Sequence, residues 1–381
     1  MNNNFKKITI NFLSYIKKFS IVYFLATFVK NLIFYINWNF QRVNTLFISN
    51  NHHKKILIVY DLNSQPYSIG DFINLQEASL IISKIKKLQQ VDCAIIYDKK
   101  NPAKSDIVFK NIVNSDNVLD FINNLLPLCQ LNFKIGSIFL FNSTNFFIKF
   151  LKQNNTDYFL WPPYNSIKSG IYLSPIIFNS LLYKYHLIYK SIPYLTSSIE
   201  LQDWASSFFN SHSKNKVFVT VNLRVNMNWS SDRNSAITEW ITFFNYCANL
   251  FEVTFFIICK NDEIDPMLHK CTNTILVKKY NTNVAQDLAL IQNSHFHMGA
   301  NSGPSTIAWF SEKPFLTVNM KLNKGIFYKN QNMIIDLGGG FQRLNFFKDN
   351  QLIYMYKETA HILINAFENI WPKISSIALK N

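Results

Sequence analysis

The stretch HMGANSGPSTIAWFSEKPFLTVN, residues 297–319, decides how the chain folds. Its apolar start, ending at Ala300, predicts a buried strand. Asn301, Ser302 and Gly303 form a turn, and Pro304 suits a first helical position, where its fixed φ is pre-organised and its missing N–H costs nothing. Phe315 to Asn319 predicts the next strand. A strand-turn-helix-strand unit of this kind belongs to a parallel sheet covered by helices. The chain has only 9 glycines in 381 residues, so Gly299 and Gly303 point to a requirement of the backbone.

The same alternation extends in both directions. Upstream lie a strand at 216–224, a helix at 237–251, strands at 253–260 and 275–280, a helix at 283–294 and a strand at 295–300. An earlier series has strands at 54–61, 91–98 and 136–143, with helices starting near Ser68 and at 116–130. Residues 352–371 predict a long helix able to return toward the first series. The fold class is therefore α/β, with two doubly wound Rossmann-like domains facing a cleft. The expected division is 1–50, 51–213, 214–345 and a C-terminal helical segment, 346–381.

Length and composition fit two ordinary cores: 48% of the residues are hydrophobic and 16% aromatic. The net charge of +15 suits an anionic partner such as a phosphorylated substrate or phospholipid. The basic residues form no dense block, and no helix-turn-helix, zinc-finger or RNP-like signature is present, so nucleic acid is not the expected partner. Cys93, Cys129, Cys247, Cys259 and Cys271 lack C-x-x-C spacing and are expected as free core thiols, with no disulfide framework or zinc site.

Residues 1–50 stand apart. Lys7, Asn11, Ser14 and Lys18 recur at helical spacing, and FSIVYFLATFVKNLIFYINW (19–38) is nearly unbroken apolar sequence. Basic residues on both sides give no orientation for a span. A Lys-rich amphipathic anchor lying on the membrane is expected; a spanning helix at 19–36 or a helix on the protein's own core are the alternatives.

Three constellations carry candidate chemistry. In the opening stretch, Asn301, Ser302, Gly303, Pro304 and Ser305 make a turn whose N–H groups, hydroxyls and helix dipole suit a phosphate. A plain capped helix would need only the same residues. Arg224 follows a strand, and Arg233-Asn234 precede a helix; two guanidinium forks at the rim of one sheet can clamp a diphosphate. Gly70 and Asp71 lie at the start of the first helix. Asp71 there is either a first-turn helix residue or a carboxylate facing the cleft as general base. His295 and His297 alternate onto one strand face, where a lining role outweighs a metal pair. Asp262-Glu263-x-Asp265 reads as a solvated turn, and Gly338 to Gly340 as a loop near the cleft.

Gly70-Asp71 resembles the S-x-G-D loop of bacterial heptosyltransferases, and Asn301-Ser-Gly-Pro is similar to their D-[ST]-G-P donor-binding turn. Arg224…Arg233-Asn234-Ser-Ala resembles the R…R-N-A stretch of bacterial surface-polysaccharide glycosyltransferases. Those also carry a D-[LIM]-x-L-I-x-like helix before a glycine turn, comparable to QDLALIQNSHFHMGANSGP (286–304). The resemblance covers about residues 55–320. It implies a GT-B fold with an acceptor domain first and a nucleotide-sugar donor domain second. Arg224, Arg233, Asn234 and residues 301–305 would bind donor diphosphate, with Gly70 in the acceptor loop. Asp71 would deprotonate an acceptor hydroxyl on a glycan or lipid-linked acceptor, giving inversion without a metal or other cofactor. The setting implied is polysaccharide or lipopolysaccharide biosynthesis at the inner face of the cytoplasmic membrane. Asn301 replaces the family's Asp, and the His that follows it there is replaced near Thr306, so an ADP-heptose donor is not implied. A sugar-nucleotide epimerase on the same fold and a non-catalytic glycan- or nucleotide-binding protein are the alternative readings.

Overall fold

The computed structural model describes residues 54–102, 112–154, 157–163, 175–226, 231–320, 322 and 333–378. The expected N-terminal anchor at 1–50 lies outside them. All described residues belong to one compact unit, His52–Asn381. Among them no helix is long and apolar enough to cross a membrane.

The first half runs β1 Lys55–Asp61, α1 Ile69–Lys86, β2 Gln90–Ile96, α2 Val118–Leu125, a 3-10 helix Leu126–Leu131, and β3 Ile135–Phe141. It continues with α3 Thr144–Asn154, β4 Tyr158–Trp161, α4 Pro175–Tyr189 and α5 Ile199–His212. The second half opens with β5 Val217–Asn222, α6 Ile237–Leu250, β6 Val253–Ile258, β7 Thr274–Leu276 and α7 Val284–Asn293. Then come β8 Phe296–Ala300, α8 Ser305–Trp309, β9 Phe315–Val318, β10 Ile334–Gly338, β11 Phe341–Leu344, β12 Gln351–Tyr354 and α9 Ala360–Ala378.

The first sheet is parallel, in the order β3-β2-β1-β4. β1 is an inner strand with Ile56 to Asp61 buried, which is why it reads as a continuous apolar run rather than an alternating one. The second sheet has the order β10-β11-β12-β9-β8-β5-β6-β7, parallel from β12 to β7 and antiparallel at the β10–β11–β12 end. Strand order reverses direction between β1 and β4 in one sheet and between β5 and β8 in the other. Open α/β sheets bind ligands beyond the strand ends at such points.

Helix α1 starts where Ser68 caps it and stops where Lys87 takes a left-handed conformation at φ 55°. One face of the second sheet is sealed by α6 and α9. Phe243, Phe244, Phe255 and Phe367 pack there with ring centroids 5.1 to 5.7 Å apart. Burying each such ring stabilises the fold by about 1.5–3 kcal/mol. The two halves meet where α8 packs on α1 and α7 packs on the 3-10 helix. A backbone bond from Leu195 N–H to the Phe310 carbonyl, 2.9 Å, crosses between them.

The structure departs from the sequence expectations in three places. The strand expected at 275–280 ends at Leu276, because Val277–Tyr280 turns as a 3-10 helix. The helix expected at 352–371 begins as strand β12, buried beside β9, and turns helical only at Ala360. Helix α9 lies on α6 and β5 rather than returning to the first half. Helix α8 itself is five residues long. Ser311 closes it by bonding through both backbone N–H and hydroxyl to the Ala308 carbonyl, ahead of Pro314. The Gly338–Gly340 segment is the β10–β11 turn, with φ of 78°, 58° and 88° that only glycine adopts freely.

Candidate functional site

The two glycine turns singled out in the sequence touch each other. A Cβ on Gly70 would stand 3.1 Å from Thr306 Oγ1 and 3.5 Å from Gly303 Cα. A Cβ on Gly303 would stand 3.1 Å from Ile69 Cβ and 3.2 Å from Gly70 N. Neither glycine has a positive φ, so both serve close approach of backbone to backbone. Asp71 therefore follows, by one residue, the point where the halves meet. It is half-buried in the first turn of α1, and its N–H donates to Ser68 Oγ at 3.4 Å. Thr306 faces this contact.

The loop before α1 is organised by Asp61, at the end of β1. Asp61 Oδ1 accepts from the Asn63 backbone (3.0 Å) and side chain (2.9 Å), and its own N–H donates to Gln65 Oε1 at 2.8 Å. Burial pushes the Asp61 carboxyl above its ordinary range, and the two Asn63 bonds oppose that.

On the other side, Asn301 N–H prolongs the β8–β9 ladder to the Val318 carbonyl, 3.1 Å. Ser302 Oγ donates to Asn222 Oδ1, and Ser305 Oγ donates to the Ala300 carbonyl at 2.7 Å. A hydroxyl has one proton, so neither serine has one left for a ligand; the hydroxyl donation expected from them is not what these side chains do. Pro304 has helical φ, −55°. The helix behind it gives little aligned dipole, since the effect builds over several turns. What the turn presents is backbone.

Asn222 was not foreseen from the sequence. It closes β5 at the switch point, bonds Ser302, and donates through Nδ2 to the Ile258 carbonyl at 3.0 Å. Gly299 is needed beside it, because a Cβ there would come within 2.8 Å of the Asn222 carbonyl oxygen.

Two residues beyond Asn222 begins the arginine loop, pinned at every few residues. Arg224 N–H donates to Ser235 Oγ (3.0 Å) and the Arg224 carbonyl accepts from Ser235 N–H (2.8 Å). Val225 N–H donates to Glu263 Oε2 at 3.0 Å, so Glu263 braces the site rather than sitting in a solvated turn. Asn234 exchanges bonds with the backbone of Asn226, 2.9 and 3.0 Å, which makes it a clamp of the loop. Asn319 Nδ2 holds the Asp232 carbonyl at 2.9 Å. Glu358 Oε1 accepts from Ala236 N–H (2.9 Å) and Trp240 Nε1 (2.8 Å), fixing the start of α6 just after the loop.

These braces hold two guanidinium groups close together in a desolvated place. Arg224 is 8% exposed. Burial is the main cause that lowers its pKa, the neighbouring Arg233 charge adds to it, and Glu263 and Asp232 oppose both. Arg233 is likewise lowered by burial, with Asp232 opposing. A pair of cations kept together against desolvation and repulsion is an anion-binding arrangement.

The remaining candidates are structural. His297 Nδ1 lies 3.0 Å from Thr220 Oγ1, and full burial lowers its pKa to about 3, so the ring is neutral. His295 Nδ1 accepts from Phe218 N–H at 3.0 Å. Among the described residues no group of three or more His, Cys, Asp or Glu is placed to hold a metal ion. All five cysteines are buried and free.

No family model and no curated protein matches the chain. Solved structures do. A glycosyl transferase family 9 protein from Veillonella parvula aligns with a TM-score of 0.52 at 11% identity, over 85% of this chain and 99% of that one. The E. coli heptosyltransferase WaaC with ADP aligns with a TM-score of 0.44 at 8% identity, over 84% and 99%. A Listeria monocytogenes protein described as a UDP-N-acetylglucosamine 2-epimerase aligns with a TM-score of 0.39 at 8% identity, over 86% and 91%. At such identity the likeness concerns the fold, and the fold is GT-B-like, with two Rossmann-like halves.

Proposed function

We propose that the chain is an inverting, metal-independent glycosyltransferase that moves a sugar from a nucleoside-diphosphate sugar to a hydroxyl of a glycan or lipid-linked acceptor. The observation that carries this reading is the pairing of buried Arg224 with half-buried Arg233 in the loop after β5, a strand whose last residue, Asn222, bonds Ser302 of the 301–305 turn. A diphosphate placed there offsets the repulsion of the two guanidiniums and accepts their forked hydrogen bonds. As the glycosidic bond breaks, charge grows on the leaving diphosphate, and fixed cations stabilise it where it develops. Asn222, Ser235, Asn234 and Glu263 keep those cations in place. Asp71, one residue from the contact between the halves, takes the proton of the attacking hydroxyl. Attack from the face opposite the leaving group inverts the anomeric carbon.

In this reading residues 51–213 carry the acceptor and 214–345 the donor, while 1–50 hold the enzyme to the inner face of the cytoplasmic membrane. The test is calorimetric titration with a panel of nucleoside diphosphates. Binding by the native chain and its loss in Arg224→Ala are expected, with product analysis showing inversion and no turnover in Asp71→Asn. A retained anomeric configuration, or interconversion of the free sugar nucleotide without any acceptor, would overturn the assignment.

A further inference from the structure

Glu77 is an anomaly that the proposed chemistry does not use. Its side chain is completely buried, 0% exposed, and neither carboxyl oxygen has a hydrogen-bond partner. It lies seven residues after Gly70 on α1, two helical turns and about 10 Å along the axis, on nearly the same stripe. That stripe faces the second half at Gly70, where it meets Gly303. Neighbouring residues of α1 face the 3-10 helix: Gln76 Nε2 donates to the Leu128 carbonyl (3.1 Å), and Ser79 Oγ accepts from Asn132 Nδ2 (3.2 Å). Glu77 is thus enclosed where α1, α4 and the segment 190–198 come together, and that segment joins the second half through Leu195 and Phe310.

Tyr185 on α4 and Tyr194 in the 190–198 segment are near it; burial is the main cause that raises their pKa values, and the Glu77 charge adds to it. Tyr194 also feels Lys348 and Glu312, and Lys348 sits over its ring at 5.7 Å. Lys184 and His186 flank Tyr185 on α4, and α8 brings no ionisable residue. Toward the first sheet, Asp92 is paired with Lys55 and Tyr158, and Tyr60 donates to the Pro66 carbonyl. None of these supplies a hydrogen bond or ion pair to the Glu77 carboxyl, and burial alone raises its pKa well above the ordinary 4.5. An unpaired charge in such a place is strongly unfavourable.

We propose that Glu77 is a proton-operated latch on the segment that joins the two halves: it is neutral while α1, α4 and the 190–198 segment stay packed, and its ionisation loosens that packing and with it the Leu195–Phe310 link to the second half. The sign follows from linkage. The packed state holds the proton more tightly than the open state, so packing is fully favoured below the ordinary carboxyl range and weakens as pH rises above it.

The test is hydrogen exchange on the full chain between about pH 5 and 7, corrected for intrinsic exchange, and it needs no substrate, so its outcome is separate from that of the transferase reading. The Leu195 amide reports release of the 190–198 segment from Phe310; Val59 and Val219 report the sheet cores. Leu195 is expected to be less protected than both core amides, with protection falling about tenfold per pH unit, as one proton requires. Glu77→Gln removes that slope, and so does Glu77→Met should the amide variant not fold. A slope that persists in the variants, a flat wild-type profile, or Leu195 protection equal to that of Val59 and Val219 overturns the latch.

Discussion

At the scale of single residues, the site is built from groups that cost stability where they stand. Burial and the neighbouring Arg233 charge weigh on Arg224, with Glu263 and Asp232 opposing, so a substitution there acts in opposite directions on folding and on binding. Arg224→Ala should leave the thermal unfolding midpoint of the ligand-free protein unchanged or raise it. The same variant should weaken nucleoside-diphosphate binding by about 1.5–3 kcal/mol, the range for a hydrogen bond to a charged group. Differential scanning fluorimetry without and with nucleotide reads both effects, and a variant that unfolds early but binds normally would contradict this role. The paired glycines behave differently. In Gly303→Ala the new methyl meets Ile69 Cβ at 3.1 Å and Gly70 N at 3.2 Å, and the latter is backbone with nowhere to go. Overpacking of this kind costs about 1–3 kcal/mol. The cost should appear as a lower unfolding midpoint together with slower turnover, because the halves are held apart next to Asp71. The sequence singled out these two turns. It could not show that Gly70 and Gly303 meet, since no local pattern encodes a contact between residues so far apart in the chain. Nor could it show that the Ser302 and Ser305 hydroxyls are committed to Asn222 and Ala300.

At the scale of elements, the arginine loop depends on a cross-capping between two helices. Glu358 accepts from the start of α6, and Glu239 Oε2 from α6 accepts Ala360 N–H at 2.7 Å at the start of α9. Each carboxylate thus satisfies orphan donors of the other helix. Removing Glu358, which is buried and bonded to both Ala236 N–H and Trp240 Nε1, leaves one half-buried and one buried donor unsatisfied. Glu358→Ala should therefore cost about 2–5 kcal/mol, measured by urea unfolding. Glu239→Ala, at one bond, should cost about 1 kcal/mol. If the loop is placed through Glu358, the donor KM rises in Glu358→Gln while the folded fraction stays near native. The elements legible in the sequence were those whose signal is local. β1 and β6 are unbroken apolar runs, and α1 and α7 carry their own caps, Ser68 and the Asn283–Gln286 box. β12 was misread because Leu352, Ile353 and Tyr354 fit a helical stripe as well as a strand, and only the place beside β9 decides between them. β4 escaped notice because four residues carry too little periodicity. Glu358 and Asn222 are single polar residues whose importance lies in distant partners, so nothing in their neighbourhood marked them.

At the scale of the whole molecule, charge separates the N-terminal segment from the rest. Residues 1–50 contain Lys6, Lys7, Lys17, Lys18, Lys30 and Arg42 and no Asp or Glu. Near an anionic membrane each such residue contributes about 1 kcal/mol, an attraction that decays within a Debye length and weakens with salt. The described unit beginning at His52 contains both sheets, both switch points and every candidate site residue. Membrane binding and donor binding should therefore be separable. The full chain is expected to sediment with vesicles containing phosphatidylserine, less so as salt increases. A fragment of residues 52–381 should stay in the supernatant yet keep its nucleotide-dependent stabilisation. Adding salt distinguishes two contributions within residues 1–50: the electrostatic part falls away, and any binding left at high salt belongs to the apolar run at 19–38. A fragment that sediments as the full chain does would move the membrane contact into the α/β unit. A fragment that remains in solution but no longer binds nucleotide would mean that residues 1–50 help to build the donor site.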